Sequence, residues 1–152
     1  MIMANQVETV LTEELLPFLR EENYVTVATV DHESGGPNVN AISWVYAQDN
    51  SHIRFAVDNR SKMLVNLQKQ PRITITMLGA GSTYAISGNA KVITEKIDNI
   101  PLKLALVEIK IREVRDVMFY GSKITTEPKY EKTYDEEAAQ KLDSQVMSAL
   151  KN

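Results

Sequence analysis

The sequence predicts a mainly β (α+β) fold, a small antiparallel barrel with short flanking helices. Three observations carry this expectation. Several runs of β-branched residues alternate with a period of two. The breaks between them are short and rich in Gly, Pro, Asn and Asp, as tight turns require. Only one short helical stretch interrupts the strands, so the regular strand–helix alternation of a parallel sheet is missing. About six strands joined this way close into a barrel, which removes exposed edges, with a two-layer sandwich as the rival arrangement.

The elements follow in order. Residues 5–22 place Val7, Val10, Leu11, Leu15, Phe18 and Leu19 at helical spacing, divided by Pro17. Thr12, followed by Glu13 and Glu14, suits the start of a second short helix. Residues 24–31 (YVTVATVD) read as a strand, and the Gly35-Gly36-Pro37 turn stops it. Residues 38–47 (NVNAISWVYA) read as one further strand, and residues 52–57 (HIRFAV) return after a polar turn. Residues 61–69 form a short helix closed by Pro71, and residues 72–78 (RITITML) alternate cleanly. A longer strand covers 83–94, where Gly88 marks a bulge or bend. In 105–115, Val107, Ile109 and Ile111 alternate with charged residues. Asp135 is a suitable N-cap for a last helix, whose apolar stripe is Ala138, Leu142, Val146 and Leu150.

At 152 residues and 43% hydrophobic, the chain suits a single domain, 1–152. Within it the helical segment covers about 5–22, the barrel about 24–120 and the final helix about 135–150. A net charge of -3 argues against a general nucleic-acid binder. With no cysteine, thiolate metal sites, disulfides and cysteine nucleophiles are excluded. Glu8, Glu13 and Glu14 stand among the apolar residues of the N-terminus, unlike a secretory leader, and no apolar run reaches membrane-spanning length. The expected compartment is the cytoplasm, with no membrane partner.

Two stretches can carry chemistry. Asp58-Asn59-Arg60-Ser61-Lys62 lies where a strand ends and a helix begins. A helix start offers N–H groups and a positive dipole end, and Arg60 and Lys62 add charge, so the run suits a phosphate. An ordinary solvated helix start with a Ser61 or Asn59 cap fits the same residues. In the strand 38–47, Asn40 and Ser43 are polar within an otherwise apolar run and could meet the edge of a planar heterocycle. Solvent-facing asparagines and a Trp44 in the core are the plainer reading. His32 and His52 lie at turns without metal-ligand or triad spacing, so no metal site is expected.

Taken together, VTVATVDHESGGPNVNAISW (25–44), IRFAVDNRSKMLVNLQKQPRITI (53–75) and TYAISGNAKVI (83–93) resemble the FMN-binding split barrels related to pyridoxamine 5'-phosphate oxidase. The likeness is to the short bacterial members similar to general stress proteins. It implies a six-stranded antiparallel split β-barrel and a homodimer with FMN in grooves between the subunits. By matching motifs, Arg60, Ser61 and Lys62 would hold the FMN phosphate. Asn40, Ala41, Ile42 and Ser43 would meet the ring system and ribityl chain, with Ala56 and Val57 beside the flavin. Thr83 would contact flavin from the partner subunit. Two departures argue against vitamin B6 oxidation. Asn40 stands where the oxidase proper has arginine, and the final helix lacks the tryptophan and arginine of the oxidase's substrate motif. The expectation is a flavin-dependent oxidoreductase acting on a small substrate, with no catalytic side chain assigned. The alternatives are a non-catalytic FMN- or ligand-binding stress protein, or the same barrel holding a deazaflavin or haem.

Overall fold

The computed structural model describes residues 7–152. Its strands are β1 (Val7–Glu8), β2 (Val25–Val30), β3 (Pro37–Ile42), β4 (Val45–Ala47), β5 (His52–Asp58), β6 (Arg72–Gly79), β7 (Ser82–Thr94) and β8 (Leu104–Asp116). Two α-helices, α1 (Lys62–Lys69) and α2 (Glu136–Lys151), complete the set. All strand pairs are antiparallel, in the order β3-β2-β6-β7-β8-β5-β4, with β1 added against β8.

The strands at the two ends of that order, β3 and β4, are consecutive in the chain. Only Ser43 and Trp44 separate them. Three residue steps span at most about 11 Å, so the sheet must curl until its edges approach. This short link makes the sheet a split antiparallel barrel. Bulges at Ser87/Gly88 and Val92/Thr94 let the long β7 and β8 follow the curvature.

The barrel interior is filled by alternating side chains, among them Val25, Val27, Ile53, Phe55, Ile75, Met77, Ile86 and Ile109. Residues 104–107 of β8 are all buried because this part of the sheet is covered on both faces. Ala105 and Val107 face the barrel, while Leu104 and Leu106 meet Val146 and Leu150 of α2. As expected, Asp135 caps α2, accepting from the Ala138 N–H at 2.9 Å. The buried face begins at Ala139, and Ala138 itself is exposed.

Two expectations are corrected. The stretch 5–22 is not an α-helix: its described part holds β1, a series of turns and a 3-10 helix at Leu16–Leu19, while residues 5 and 6 lie outside the described residues. Leu11, Leu15 and Leu19 are buried at helical spacing, but the Leu11 N–H donates to the Asn50 carbonyl at 2.8 Å. Pro17 sits in the first turn of the 3-10 helix, where its missing N–H costs nothing. Thr12 does open a turn, accepting from the N–H groups of Leu15 and Leu16. The other correction is the strand count, eight among the described residues rather than about six. The run 38–47 divides into β3 and β4, and the two-residue β1 is too short to show a period. No helix among the described residues is long and apolar enough to cross a membrane.

Candidate functional site

A groove of about 430 Å³ opens where the barrel edges meet. Asn40, Ala41, Ile42, Ser43 and Trp44 form one wall, from the end of β3 and its link to β4. Ala56, Val57 and Asp58 contribute the end of β5, and Ser61 and Met63 the start of α1. Lys132 and Tyr134 reach in from the segment before α2.

The β3 wall exposes main chain. The Asp31 N–H donates to the Gly36 carbonyl at 2.7 Å, which fixes the alternation of the β2–β3 ladder. Asn38, Asn40 and Ile42 therefore bond to β2, while Val39 and Ala41 turn their N–H and C=O groups to the free edge. Ala41 lines the groove, so its peptide groups can read a flat polar ligand edge.

The floor is a helix start. Ser61 is the N-cap of α1, its hydroxyl accepting from the Met63 N–H at 3.2 Å. The two cations beside it already have carboxylate partners. Arg60 holds Asp58 through Nη2 and Nε, both at 3.1 Å, and the Arg60 N–H adds a bond at 2.8 Å. These side-chain and main-chain bonds lower the Asp58 pKa to about 2. Lys62 Nζ lies 2.5 Å from Asp31 Oδ1, and Asp31 Oδ2 accepts from the N–H groups of Ser34 and Glu33. The Lys62 bond, then the Ser34 main-chain bond, hold the Asp31 carboxyl far below the usual carboxylate range.

α1 is fixed to the strands by Asn66, which is fully buried. Its amide donates to Thr29 at 3.0 Å and Asn38 at 2.8 Å, and its oxygen accepts from the His32 N–H at 2.9 Å. Asn66 thus ties α1 to β2, to the β2–β3 turn and to β3.

Of the ten site residues expected from sequence, seven line this groove: Asn40, Ala41, Ile42, Ser43, Ala56, Val57 and Ser61. Arg60 faces an adjoining hollow with Asn59, Leu64 and Glu95 and shares Ser61 with the groove. Lys62 leans toward Asp31. Thr83, the second residue of β7, lies outside the groove, its hydroxyl 3.5 Å from Met118 Sδ.

Sequence reasoning missed Met63, Lys132 and Tyr134, and treated Trp44 as core. Lys132 is bonded to Glu22 at 2.7 Å and Asp143 at 3.0 Å. Asp143 also accepts from Trp44 Nε1 at 2.8 Å, and Glu22 from the Ser43 hydroxyl at 2.5 Å. Burial works against the Lys132 charge, but the Glu22 and Asp143 bonds outweigh it and raise its pKa. No local pattern announces a residue paired across 110 positions.

Comparison with known proteins agrees with the fold. A candidate pyridoxamine 5'-phosphate oxidase from Lactobacillus delbrueckii superposes with a TM-score of 0.62 at 20% identity, over 74% of this chain and 98% of that one. General Stress Protein 26 from Bacillus anthracis gives 0.54 at 12% identity, over 65% and 87%. An F420 reductase gives 0.54 at 19%, over 68% and 95%. No curated protein matches. The family model for pyridoxamine 5'-phosphate oxidase matches residues 11–118, more than two-thirds of the sequence. The chain belongs to the pyridoxamine 5'-phosphate oxidase family.

Proposed function

We propose that the groove binds FMN and that the protein is a flavin-dependent oxidoreductase acting on a small substrate. The observation that carries this reading is the meeting of a capped helix start, an unpaired strand edge and an apolar strand end on one groove. Its volume lies within the roughly 300–1,000 Å³ typical of small-molecule sites. The donor set suits the cofactor. Ser61 and the helix start would address the phosphate, with Arg60 and Lys62 beside the groove able to turn from Asp58 and Asp31 toward it. Asn40, Ser43 and the main chain of Ala41 and Ile42 offer hydrogen bonds to polar ring edges, while Ala56 and Val57 give an apolar surface. FMN would supply hydride or electron transfer, and the protein position and shelter from water.

FMN is expected to bind at least about tenfold more tightly than riboflavin, the worth of one charge-assisted hydrogen bond. Fluorescence titration checks this, and equal affinities would remove the phosphate role of the turn. The likeness to an F420 reductase makes a deazaflavin the alternative occupant, and the absorption spectrum of freshly purified protein separates it, or haem, from FMN. Turnover with NADH or NADPH and an added acceptor, compared with free flavin, distinguishes an enzyme from a binding protein.

The same reading includes a homodimer, with Thr83 serving the partner's groove. The free β3 edge and the exposure of Val39 (65%), Phe119 (68%) and Tyr120 (97%) support it. A two-fold interface of about 2,000 Å² or more is expected. Sedimentation at micromolar concentration should give twice the chain mass, and a clean monomer would overturn the shared-groove arrangement.

A further inference from the structure

Residues 119–152 lie outside the family match, yet Lys132 and Tyr134 line the groove. Few side chains hold the segment that carries them: besides Lys132, Tyr130 packs against Tyr24 with ring centroids 6.4 Å apart and reaches Glu22 and Ser43. From Gly121 to Ala138 every residue is exposed except Ile124 and Lys132. The Ile124 N–H is bonded to the Gly81 carbonyl at 2.7 Å, which ties one end to the β6–β7 turn. At the other end, Lys132 joins three separate parts of the molecule. Glu22 precedes β2, Asp143 belongs to α2, and the ammonium stands 5.6 Å over the Trp44 ring. The carboxylates it joins are the ones that hold Ser43 and Trp44 on the groove wall.

We propose that residues 121–134 form a strap that closes this groove, with Lys132 as its latch. The ammonium neutralises two half-buried carboxylates that would otherwise face one another across a gap. Without it the strap loses its anchor beside the groove, Glu22 and Asp143 repel, and Trp44 loses the cation over its ring. Release of this one side chain therefore loosens the wall formed by Lys132 and Tyr134, leaving Tyr130 against Tyr24 as the remaining tie beside the groove. The ligand part of the inference rests on the reading of the groove as a flavin site, whereas the latch itself does not.

Trp44 is the single tryptophan, so its fluorescence reports the latch without interference. In Lys132→Met, which keeps much of the side-chain volume, acrylamide quenching of Trp44 should rise several-fold. Trypsin cleavage after the exposed Lys129 should quicken about tenfold, while the far-ultraviolet dichroism stays that of the wild type. Asp143→Asn should give a smaller change in the same direction, and Lys129→Ala should leave Trp44 quenching unaltered. Quenching and cleavage unchanged in a folded Lys132→Met protein would overturn the latch. If that variant does not fold, Lys132→Gln, which keeps a shorter neutral stem, serves in its place, and Trp44 quenching equal to that of the wild type would overturn the proposal. With flavins added, FMN and riboflavin should both leave Lys132→Met faster, by the same factor. A wild type that binds no flavin, with Trp44 quenching still raised in Lys132→Met, would overturn the cofactor reading and leave the latch standing.

Discussion

Replacing Gly88 with alanine is expected to cost about 3 kcal/mol or more of folding stability, at the upper end of overpacking effects. Gly88 sits in β7 at the register shift against β8, opposite Ile111. A Cβ built there would run into the Lys110 carbonyl oxygen, would stand 2.9 Å from its carbon, and 3.0 Å from Ile109 Cγ2. Two of these three atoms are main chain of the neighbouring strand, so no side-chain rotation relieves the clash. The ladder must shift, and with it Ile109 and Ile86, which fill the barrel. The backbone of Gly88 is not in the left-handed region, so the requirement is for space alone. Gly36 provides the control. There the nearest atom to an added Cβ is the Ser34 hydroxyl at 3.3 Å, which can rotate away. Urea denaturation should show a large loss for Gly88→Ala and a loss within about 1 kcal/mol for Gly36→Ala. Similar midpoints for the two variants would refute the packing argument.

Gly88 also shows what the sequence makes legible. A glycine inside an alternating run signals a close main-chain approach, and such information is local. The alternation in 72–78 likewise survives folding, with Ile73, Ile75 and Met77 buried in turn. Spacing misled where a buried face and a helix give the same pattern. Leu11, Leu15 and Leu19 point inward from turns as they would from a helix. The division between β3 and β4 was not visible because residues 38–47 are suited to strand throughout. What divides them is barrel closure, a property of the whole sheet. The groove was legible as far as its residues lie on strands and the helix start. Its strap was not, since residues 121–134 carry neither periodicity nor a motif. The partners of the turn at residues 60–62 were half legible. Asp58 precedes Arg60 by two positions, whereas Asp31 reaches Lys62 only through the fold.

Lys62→Ala is expected to weaken FMN about tenfold to a hundredfold and to leave riboflavin unchanged, because a charge-assisted bond to phosphate is lost. The bond to Asp31 sharpens the test. In the structure described here the Lys62 ammonium is already matched by a carboxylate, so a phosphate must compete with Asp31 or share the lysine with it. Arg60 is less committed, since its side chain is 85% exposed and exposed pairs hold weakly. Asp31→Asn should therefore tighten FMN binding, the opposite of Lys62→Ala, and again leave riboflavin unaffected. The same substitution has a cost in stability with a defined pH dependence. Folding lowers the Asp31 pKa from its ordinary value of 3.8, so in that acid range the unfolded chain binds more protons than the folded one. The carboxylate thus stabilises the fold fully above that value, and the contribution is lost as the pH falls below it. Asp31→Asn should be less stable than wild type at pH 7, with the gap narrowing as the pH falls below 3.8. Urea denaturation across pH checks the stability arm, and FMN and riboflavin titrations at pH 7 check the binding arm. A narrowing gap with unaltered FMN affinity would mean that Asp31 serves the β2–β3 turn alone. A folded Lys62→Ala protein that binds FMN as tightly as wild type would remove the lysine from the phosphate site altogether.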